Sequence, residues 1–133
     1  MNTSIHDIAK QMVVKGKGIL AADESTPSAN KRFAAVGVPE TEEMRRQYRQ
    51  LLIATPGNEE FLSGVILYDE TIRQQTDENV AFVRVLQDKG IIPGIKVDRG
   101  TVDLEGHPGE KITQGLDGLA DRLKEYYEMG ARF

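Results

Sequence analysis

The fold is decided by the run Ile91-Ile92-Pro93-Gly94-Ile95-Lys96-Val97-Asp98 and by two earlier runs of the same kind. These are Gly18-Ile19-Leu20-Ala21-Ala22-Asp23 and Gly64-Val65-Ile66-Leu67-Tyr68, which continues into Asp69-Glu70. Short apolar runs of this length are typical of strands buried in a parallel sheet. Each run ends in ionisable side chains, and parallel α/β folds gather their sites at that end of the sheet. The alternative is that Glu24, Asp69 and Glu70 only mark where strands leave the core.

Helical segments with apolar residues at a 3.6-residue period alternate with these runs, which predicts a parallel sheet with right-handed crossovers. Residues 101–113 are predicted to be an excursion that contains a turn at 106–109. Residues 131–133 begin what reads as a further strand, so we expect one α/β domain over 1–133 that is cut off. The predicted helices are 4–14, 28–36, a helix opened by Thr41, a helix at 82–86 stopped by Gly90, and a helix at 116–126 capped by Gly130.

Composition excludes several classes of protein. The 133 residues suit one domain, and a net charge of −4 disfavours a nucleic-acid binder, which needs a basic face. The sequence has no cysteine and only two distant histidines, so it predicts neither a disulfide nor a metal site. The apolar runs are far shorter than the ~20 residues of a membrane helix, and no secretory signal opens the chain. We therefore expect a cytoplasmic protein with no membrane segment.

Lys96 is the first candidate site residue, because it lies inside a predicted buried strand. Alternation along the strand places Lys96 and Asp98 on one face and Ile95 and Val97 on the other. A buried ammonium needs a counter-charge, and Asp23, at the matching end of the first strand, is the predicted partner. Two interpretations stay open: a structural ion pair, or a cation that transfers a proton, polarises a carbonyl or binds phosphate.

The second candidate is the segment Ser25-Thr26-Pro27-Ser28-Ala29-Asn30-Lys31-Arg32 at a predicted helix start. Free backbone N–H groups and the helix dipole favour an anion there. Ser28 and Arg32 are spaced i, i+4 and share a helix face, so together they could hold one phosphate. The alternative is that Ser25 and Thr26 only cap the helix while Lys31 and Arg32 are solvated.

Five collinear stretches resemble class I, Schiff-base-forming fructose-bisphosphate aldolases, and together they span nearly the whole chain. Collinearity makes this resemblance far more specific than any single motif. The stretches are Gly16-Lys17-Gly18-Ile19-Leu20-Ala21-Ala22-Asp23-Glu24-Ser25-Thr26, Arg45-Arg46-Gln47-Tyr48-Arg49-Gln50-Leu51-Leu52, Gly64-Val65-Ile66-Leu67-Tyr68-Asp69-Glu70-Thr71, Gly94-Ile95-Lys96-Val97-Asp98-Arg99-Gly100 and Gln114-Gly115-Leu116-Asp117-Gly118-Leu119.

The resemblance implies a TIM (β/α)₈ barrel, here truncated to about its first three β/α units, since a whole barrel needs about 250 residues. It implies reversible cleavage of fructose 1,6-bisphosphate to dihydroxyacetone phosphate and glyceraldehyde 3-phosphate, with no metal or organic cofactor. Asp23 matches the aspartate that assists proton movement and orients the Schiff base, and Lys96 matches a lysine that contacts substrate. Ser25, Ser28 and Arg32 match residues that lie near a substrate phosphate in this family, and Lys31 is their neighbour. Pro27 departs from the small residue that relatives often carry, and we expect it to shift Ser28 slightly.

In that family the Schiff-base lysine, the main glutamate acid/base and the second phosphate site come from later strands. The isolated chain is therefore expected to be inactive, and the complete protein is expected to be a homo-oligomer, commonly a tetramer. Two alternatives remain. Lys96 could itself be the Schiff-base amine of another barrel aldolase. The chain could also be a non-catalytic fragment or assembly module that self-associates through its open strand edge.

Overall fold

Three parallel strands form the centre of the fold. The structure, a computed structural model, describes residues 4–133. The strands are β1 (Gly18–Ala22), β2 (Leu62–Leu67) and β3 (Ile92–Ile95), and they lie side by side in that order. Both neighbouring pairs are parallel. The predicted α/β organisation with a parallel sheet is confirmed.

Helices connect the strands, as parallel pairing requires. The Ser4 hydroxyl caps the first helix by accepting from the Asp7 N–H at 3.2 Å, and the Thr41 hydroxyl caps the third by accepting from the Met44 N–H at 3.2 Å. The fourth helix was not predicted, because four residues are too few to show a helical period. The helices are α1 (Ile5–Met12), α2 (Thr26–Ala35), α3 (Glu42–Ala54), α4 (Asp69–Ile72), α5 (Phe82–Asp88) and α6 (Leu119–Met129), with a single 3-10 turn at Asn58–Glu60. Within residues 4–133, every helix is too short or too polar to traverse a lipid bilayer.

The stretch 101–113 is more regular than the sequence predicted. It forms an antiparallel hairpin of β4 (Thr101–Asp103) and β5 (Lys111–Thr113), separate from the central sheet. The two strands are exposed and only three residues long, and each has a single apolar residue, Val102 or Ile112, which is too few to predict a strand.

The third strand is shorter than predicted. β3 ends at Ile95, and residues 96–98 leave the sheet. The Lys96 N–H still donates to the Leu67 carbonyl at 2.9 Å, which is the last bond to β2. Beyond it, the Gly100 N–H donates to the Asp98 carboxylate at 3.0 Å and turns the chain away. The loop that follows the strand is thus held by a bond between the Asp98 side chain and the Gly100 backbone.

The two faces of the sheet differ in their covering. At the carboxyl end, Ala22, Leu67 and Ile95 are paired across the three strands and are all buried in the core beneath the helices. The opposite face carries Gly64 and Gly94, and the ring of Phe133 lies over both glycines. Phe133 therefore fills space that side chains at those two positions would otherwise occupy.

Residues 131–133 run beside β3 without forming a full strand. The Arg132 N–H donates to the Pro93 carbonyl at 2.8 Å, and the Ile95 N–H donates to the Phe133 carbonyl at 2.9 Å. These two bonds are those expected of a parallel neighbour to β3. They agree with the strand that the sequence predicted to begin here.

Gly94→Ala should destabilise the chain, because the added methyl would lie 2.6 Å from the Phe133 ring. We expect the free energy of unfolding in urea to fall by about 1–3 kcal/mol, as for other overpacked cores. Gly18→Ala is the control, since a methyl there meets nothing within 4 Å. An equal fall in the free energy of unfolding for Gly94→Ala and Gly18→Ala would show that Phe133 does not pack on β3 as described.

Candidate active site

The three strands end at the same level, which brings three side chains to one edge of the sheet. Ala22, Leu67 and Ile95 are paired across the strands, and the next residues are Asp23, Tyr68 and Lys96. Because side chains alternate along a strand, these three belong to the face opposite the helices. The predicted convergence of polar groups at the carboxyl edge is therefore present.

A cavity of about 640 Å³ opens at this edge. Two of the predicted site residues, Ser25 and Lys96, line it. Its wall also carries both signs of charge, with Arg73, Arg99 and Arg122 beside Asp69, Asp98 and Glu125. Such a wall suits a polar, charged ligand better than an apolar one. The other predicted residues, Asp23, Ser28, Lys31 and Arg32, are not among those that line it.

Lys96 is largely buried, with 21% of its side chain exposed, and its ammonium donates to the Asp98 carboxylate. The predicted alternation is confirmed, because Ile95 is buried in the core and Val97 packs against it. The hydrogen bond from Lys96, followed by that from the Gly100 N–H, lowers the pKa of Asp98. Asp98 therefore supplies the counter-charge that a buried ammonium needs.

The predicted pairing of Lys96 with Asp23 is wrong. β2 lies between β1 and β3, so the two strand ends are separated by two strand spacings, about 10 Å. The Lys96 ammonium reaches its own neighbour Asp98 instead. Asp23 is half-buried, and its carboxylate has no hydrogen bond or ion pair with any of residues 4–133. Its carboxylate is thus available to a ligand.

The start of α2 brings two hydroxyls together. Ser25 is the N-cap residue by backbone position, but no side chain caps the first turn. The Ser25 and Ser28 hydroxyls instead lie 3.1 Å apart and share a hydrogen bond. Pro27 in the first turn is compatible with the helix, as expected for proline near a helix start. The first-turn N–H groups therefore have no side-chain acceptor.

Arg32 lies one turn further along α2, and its side chain is 67% exposed. Its Nη1 atom donates to Glu24 Oε1 at 2.5 Å rather than to the Ser28 hydroxyl. The Lys31 side chain is exposed and forms no hydrogen bond or ion pair with the rest of residues 4–133. The structure places Ser25 and Ser28 at the start of α2 and Arg32 in its last turn, and their binding of a phosphate remains a prediction.

Two arginines of α3 hold the carboxylates that follow β1 and β2. Arg49 is buried, with 2% of its side chain exposed, and donates both to the Glu24 carboxylate and, at 2.7 Å, to the Glu24 carbonyl. Arg45 binds both oxygens of Glu70, at 2.8 and 2.9 Å. Burial raises the pKa of Glu24, but the hydrogen bond from Arg49, a backbone hydrogen bond and the charges of Arg49 and Arg32 together lower it by more than burial raises it. The pKa of Glu24 is therefore lowered overall. These glutamates hold the strand ends in place.

A second ion-pair cluster forms one side of the cavity. Arg73 donates to Asp69 Oδ1 at 2.8 Å and to Glu125 Oε1 at 2.6 Å. The Tyr126 hydroxyl donates to the same Asp69 oxygen at 2.9 Å. Burial, then the hydrogen bond to Asp69, raises the pKa of Tyr126. The cluster ties α6 to the end of β2.

Arg122 braces the loop that follows Lys96. Its guanidinium donates to the Val97 carbonyl at 3.1 Å and to the Gly115 carbonyl at 2.6 Å. Gly115 has φ +126°, and a Cβ atom there would lie 2.9 Å from the Val97 oxygen. Only glycine allows this approach, so residue 115 and Arg122 together fix residues 97–99 beside the cavity.

Comparison with known proteins identifies the family. The model of the class-I fructose-bisphosphate aldolase family matches residues 4–133, almost the entire chain. The chain belongs to this family.

Individual aldolases agree with the assignment. The chain is 57% identical over 127 residues to a probable fructose-bisphosphate aldolase class 1 of Xanthomonas campestris, covering 96% of this chain and 38% of that protein. It is 54% identical over 125 residues to the cytosolic fructose-bisphosphate aldolase 7 of Arabidopsis thaliana, covering 94% of this chain and 35% of that protein. The chain therefore spans little more than a third of the length of these relatives.

A solved aldolase has the same fold over the shared part. It is the Plasmodium falciparum fructose-bisphosphate aldolase, crystallised with TRAP and a small-molecule inhibitor. The TM-score is 0.94 at 50% identity, over 97% of this chain and 37% of that one. The strand order and helix placement described above are thus those of an aldolase.

Reasoning from the sequence missed several residues that line this cavity. Arg73, Arg122 and Glu125 lie on helices or helix ends, where a charged residue normally indicates only a solvated face. The period of α6 placed Tyr126 in the core, and it is buried, but the period gave no sign that its hydroxyl reaches Asp69. Gly115, next to the turn at 117–118, was the one sequence signal for the approach to Val97.

Glu24→Gln should alter the pH dependence of stability. A carboxyl whose pKa is lowered on folding stabilises the chain above its unfolded pKa, about 4.3. That contribution is lost as pH falls through the folded pKa. We therefore expect the unfolding free energies of wild type and Glu24→Gln to converge as pH falls below the unfolded pKa of about 4.3 and through the lowered folded pKa.

Glu105→Gln is the control for this measurement, because Glu105 is exposed and forms no ion pair with any other of residues 4–133. Its stability difference from wild type should stay constant over the same pH range. A constant difference for Glu24→Gln as well would contradict the lowered pKa of Glu24.

Proposed function

We propose that this chain forms the first part of a class I fructose-bisphosphate aldolase, which cleaves fructose 1,6-bisphosphate reversibly to dihydroxyacetone phosphate and glyceraldehyde 3-phosphate. The observation that carries the proposal is the aldolase-family match over residues 4–133, combined with a charged cavity at the carboxyl edge of the strands. Ser25 and Lys96, two residues that the family resemblance selects, line this cavity.

We place the chain as about the first three β/α units of a TIM (β/α)₈ barrel. The parallel order β1-β2-β3 supports this arrangement. So do the bonds from residues 132 and 133 to β3, which extend the sheet in the direction of a fourth strand. The face that carries Phe133, opposite the helices, would be the barrel interior.

Asp23 and Lys96 are the proposed catalytic residues of this part. The Asp23 carboxylate has no partner within residues 4–133, so it can accept a proton or hold an iminium nitrogen. The Lys96 ammonium is held at the cavity by Asp98, so it can bind an anionic or hydroxyl group of the substrate. Neither role requires the two side chains to touch.

Ser25, Ser28 and Arg32 are the proposed phosphate ligands, with Lys31 as a neighbouring cation. The two hydroxyls lie 3.1 Å apart at a helix start whose first-turn N–H groups have no side-chain cap. Hydroxyl groups, free N–H groups and a nearby guanidinium are a donor set that suits a phosphate dianion. No metal or organic cofactor is needed for this binding.

The chemistry of the whole enzyme begins with attack of a lysine amine on the C2 ketone, which releases water and leaves an iminium. Removal of the proton from the C4 hydroxyl then breaks the C3–C4 bond, and the iminium accepts the electron pair. We place that lysine, the glutamate acid/base and the second phosphate site in later strands of the barrel. This chain then supplies electrostatic positioning and one phosphate subsite.

We place the protein in the cytoplasm as a homo-oligomer, a tetramer by family resemblance, without nucleic-acid or membrane partners. The names of its plant relatives, which describe cytosolic aldolases, support the location. The net charge of −4 agrees with the absence of a nucleic-acid partner.

Another candidate is a barrel aldolase that uses Lys96 itself as the Schiff-base amine. The position of Lys96 in the cavity favours it. The ion pair with Asp98 opposes it, because the Lys96 nitrogen is already engaged by a carboxylate.

Borohydride trapping with dihydroxyacetone phosphate separates the two candidates. In the complete protein we expect a reduced adduct on a lysine beyond residue 133, and none on Lys96. Lys96→Met is the control variant, and it should still form the adduct. An adduct that maps to Lys96 would favour the barrel aldolase that uses Lys96 as its Schiff-base amine. The absence of any adduct would contradict both Schiff-base candidates.

Arg32→Ala in the complete protein should weaken binding of fructose 1,6-bisphosphate about tenfold, the effect of losing one charge-assisted hydrogen bond. Arg84→Ala is a matched control, since Arg84 is equally exposed (66%) but pairs with Asp88 on α5. Calorimetry should show unchanged affinity for that control. An equal loss of affinity for unphosphorylated fructose analogues would show that Arg32 does not bind phosphate.

A further inference from the structure

Glu24 stands between two arginines that differ sharply in burial. On one side, Arg49 is almost fully buried and binds both the carboxylate and the carbonyl of Glu24. The Arg49 guanidinium also packs 5.4 Å from the centre of the Tyr48 ring. On the other side, Arg32 is two-thirds exposed and reaches Glu24 through one hydrogen bond of 2.5 Å. One partner is thus fixed and the other is loosely held.

The Arg32 side chain has no other hydrogen bond or ion pair with residues 4–133. It lies one helical turn from Ser28, whose hydroxyl meets that of Ser25. A phosphate that binds these hydroxyls and also engages the Arg32 guanidinium competes with the Glu24 carboxylate for that guanidinium. The carboxylate itself stays in place, because Arg49 continues to neutralise it.

We propose that Glu24 is a positioning residue that holds Arg32 in a competing ion pair, which a phosphate dianion displaces when it binds at Ser25 and Ser28. The inference rests on the phosphate site of the proposed function. Displacement is feasible because exposed ion pairs are weak, and a dianion offers Arg32 more charge than the carboxylate does. Glu24 would thereby lower the affinity of the site and favour dianionic phosphate esters over weaker anions.

Glu70 provides a matched control on the same helix. It follows β2 as Glu24 follows β1, and it is held by Arg45, one turn from Arg49 on α3. Glu70→Gln therefore leaves a buried arginine without its carboxylate, just as Glu24→Gln does. Glu70 has no ion pair with Arg32, so its substitution reproduces the structural damage without the competition.

The experiment is a titration of the 133-residue chain with inorganic phosphate at constant ionic strength, followed by NMR of the arginine side chains. We expect Glu24→Gln to lower the Kd for phosphate about two- to fivefold, which is the range for an exposed ion pair. Glu70→Gln should leave the Kd unchanged. In an Arg32→Ala background, the gain from Glu24→Gln should disappear.

A second measurement uses the wild-type chain and does not depend on the folding of any variant. Phosphate should shift the guanidinium signal of Arg32, since its partner changes, while the signal of Arg49 stays constant. If the Arg32 signal does not move, or if both arginine signals move equally, the proposed displacement is wrong.

The outcomes also separate this inference from the phosphate site on which it rests. If Ser28→Ala and Arg32→Ala weaken phosphate binding but Glu24→Gln does not strengthen it, the site exists and the competition by Glu24 is refuted. If Ser28→Ala and Arg32→Ala leave phosphate binding unchanged, the proposed phosphate site itself fails, and the role of Glu24 fails with it.

Discussion

The site depends on two arginines of one helix that neutralise carboxylates at two strand ends. Arg45 and Arg49 are spaced one turn apart on α3, and they reach Glu70 after β2 and Glu24 after β1. Both arginines are buried, so removing one partner would leave an uncompensated charge, at a cost of about 3–5 kcal/mol. This constraint fixes the segment that carries Asp23 and Ser25 after β1 and the start of α4 at Asp69 after β2.

The remaining side of the cavity is built on the same principle with more exposed groups. Arg73 links Asp69 to Glu125, and Arg122 links the backbone at Val97 and Gly115. Charges at each strand end are thus neutralised by the protein itself before any ligand arrives. Asp23 is the exception, with no partner within residues 4–133, and this agrees with its proposed role toward substrate.

Much of the fold and part of the site could be predicted from local pattern. The apolar runs predicted the three parallel strands, and the alternation around Ile95 and Val97 correctly placed Lys96 and Asp98 on one face. The end of β3 and the hairpin at 101–113 were not predicted correctly. β3 ends at Ile95, although the apolar pattern continues to Val97, and each hairpin strand has only three residues, one of them apolar.

The sequence by itself determined the family, the parallel α/β sheet and the residues at the strand ends, because these depend on periodicity and on the order of motifs along the chain. Only the tertiary structure decided which charges meet. Strand order puts β2 between Asp23 and Lys96, so the ammonium pairs with Asp98, and the packing of α3 brings Arg49 to Glu24. Ion pairs require atoms within a few ångströms, and distances between residues far apart in sequence are set by how the elements pack.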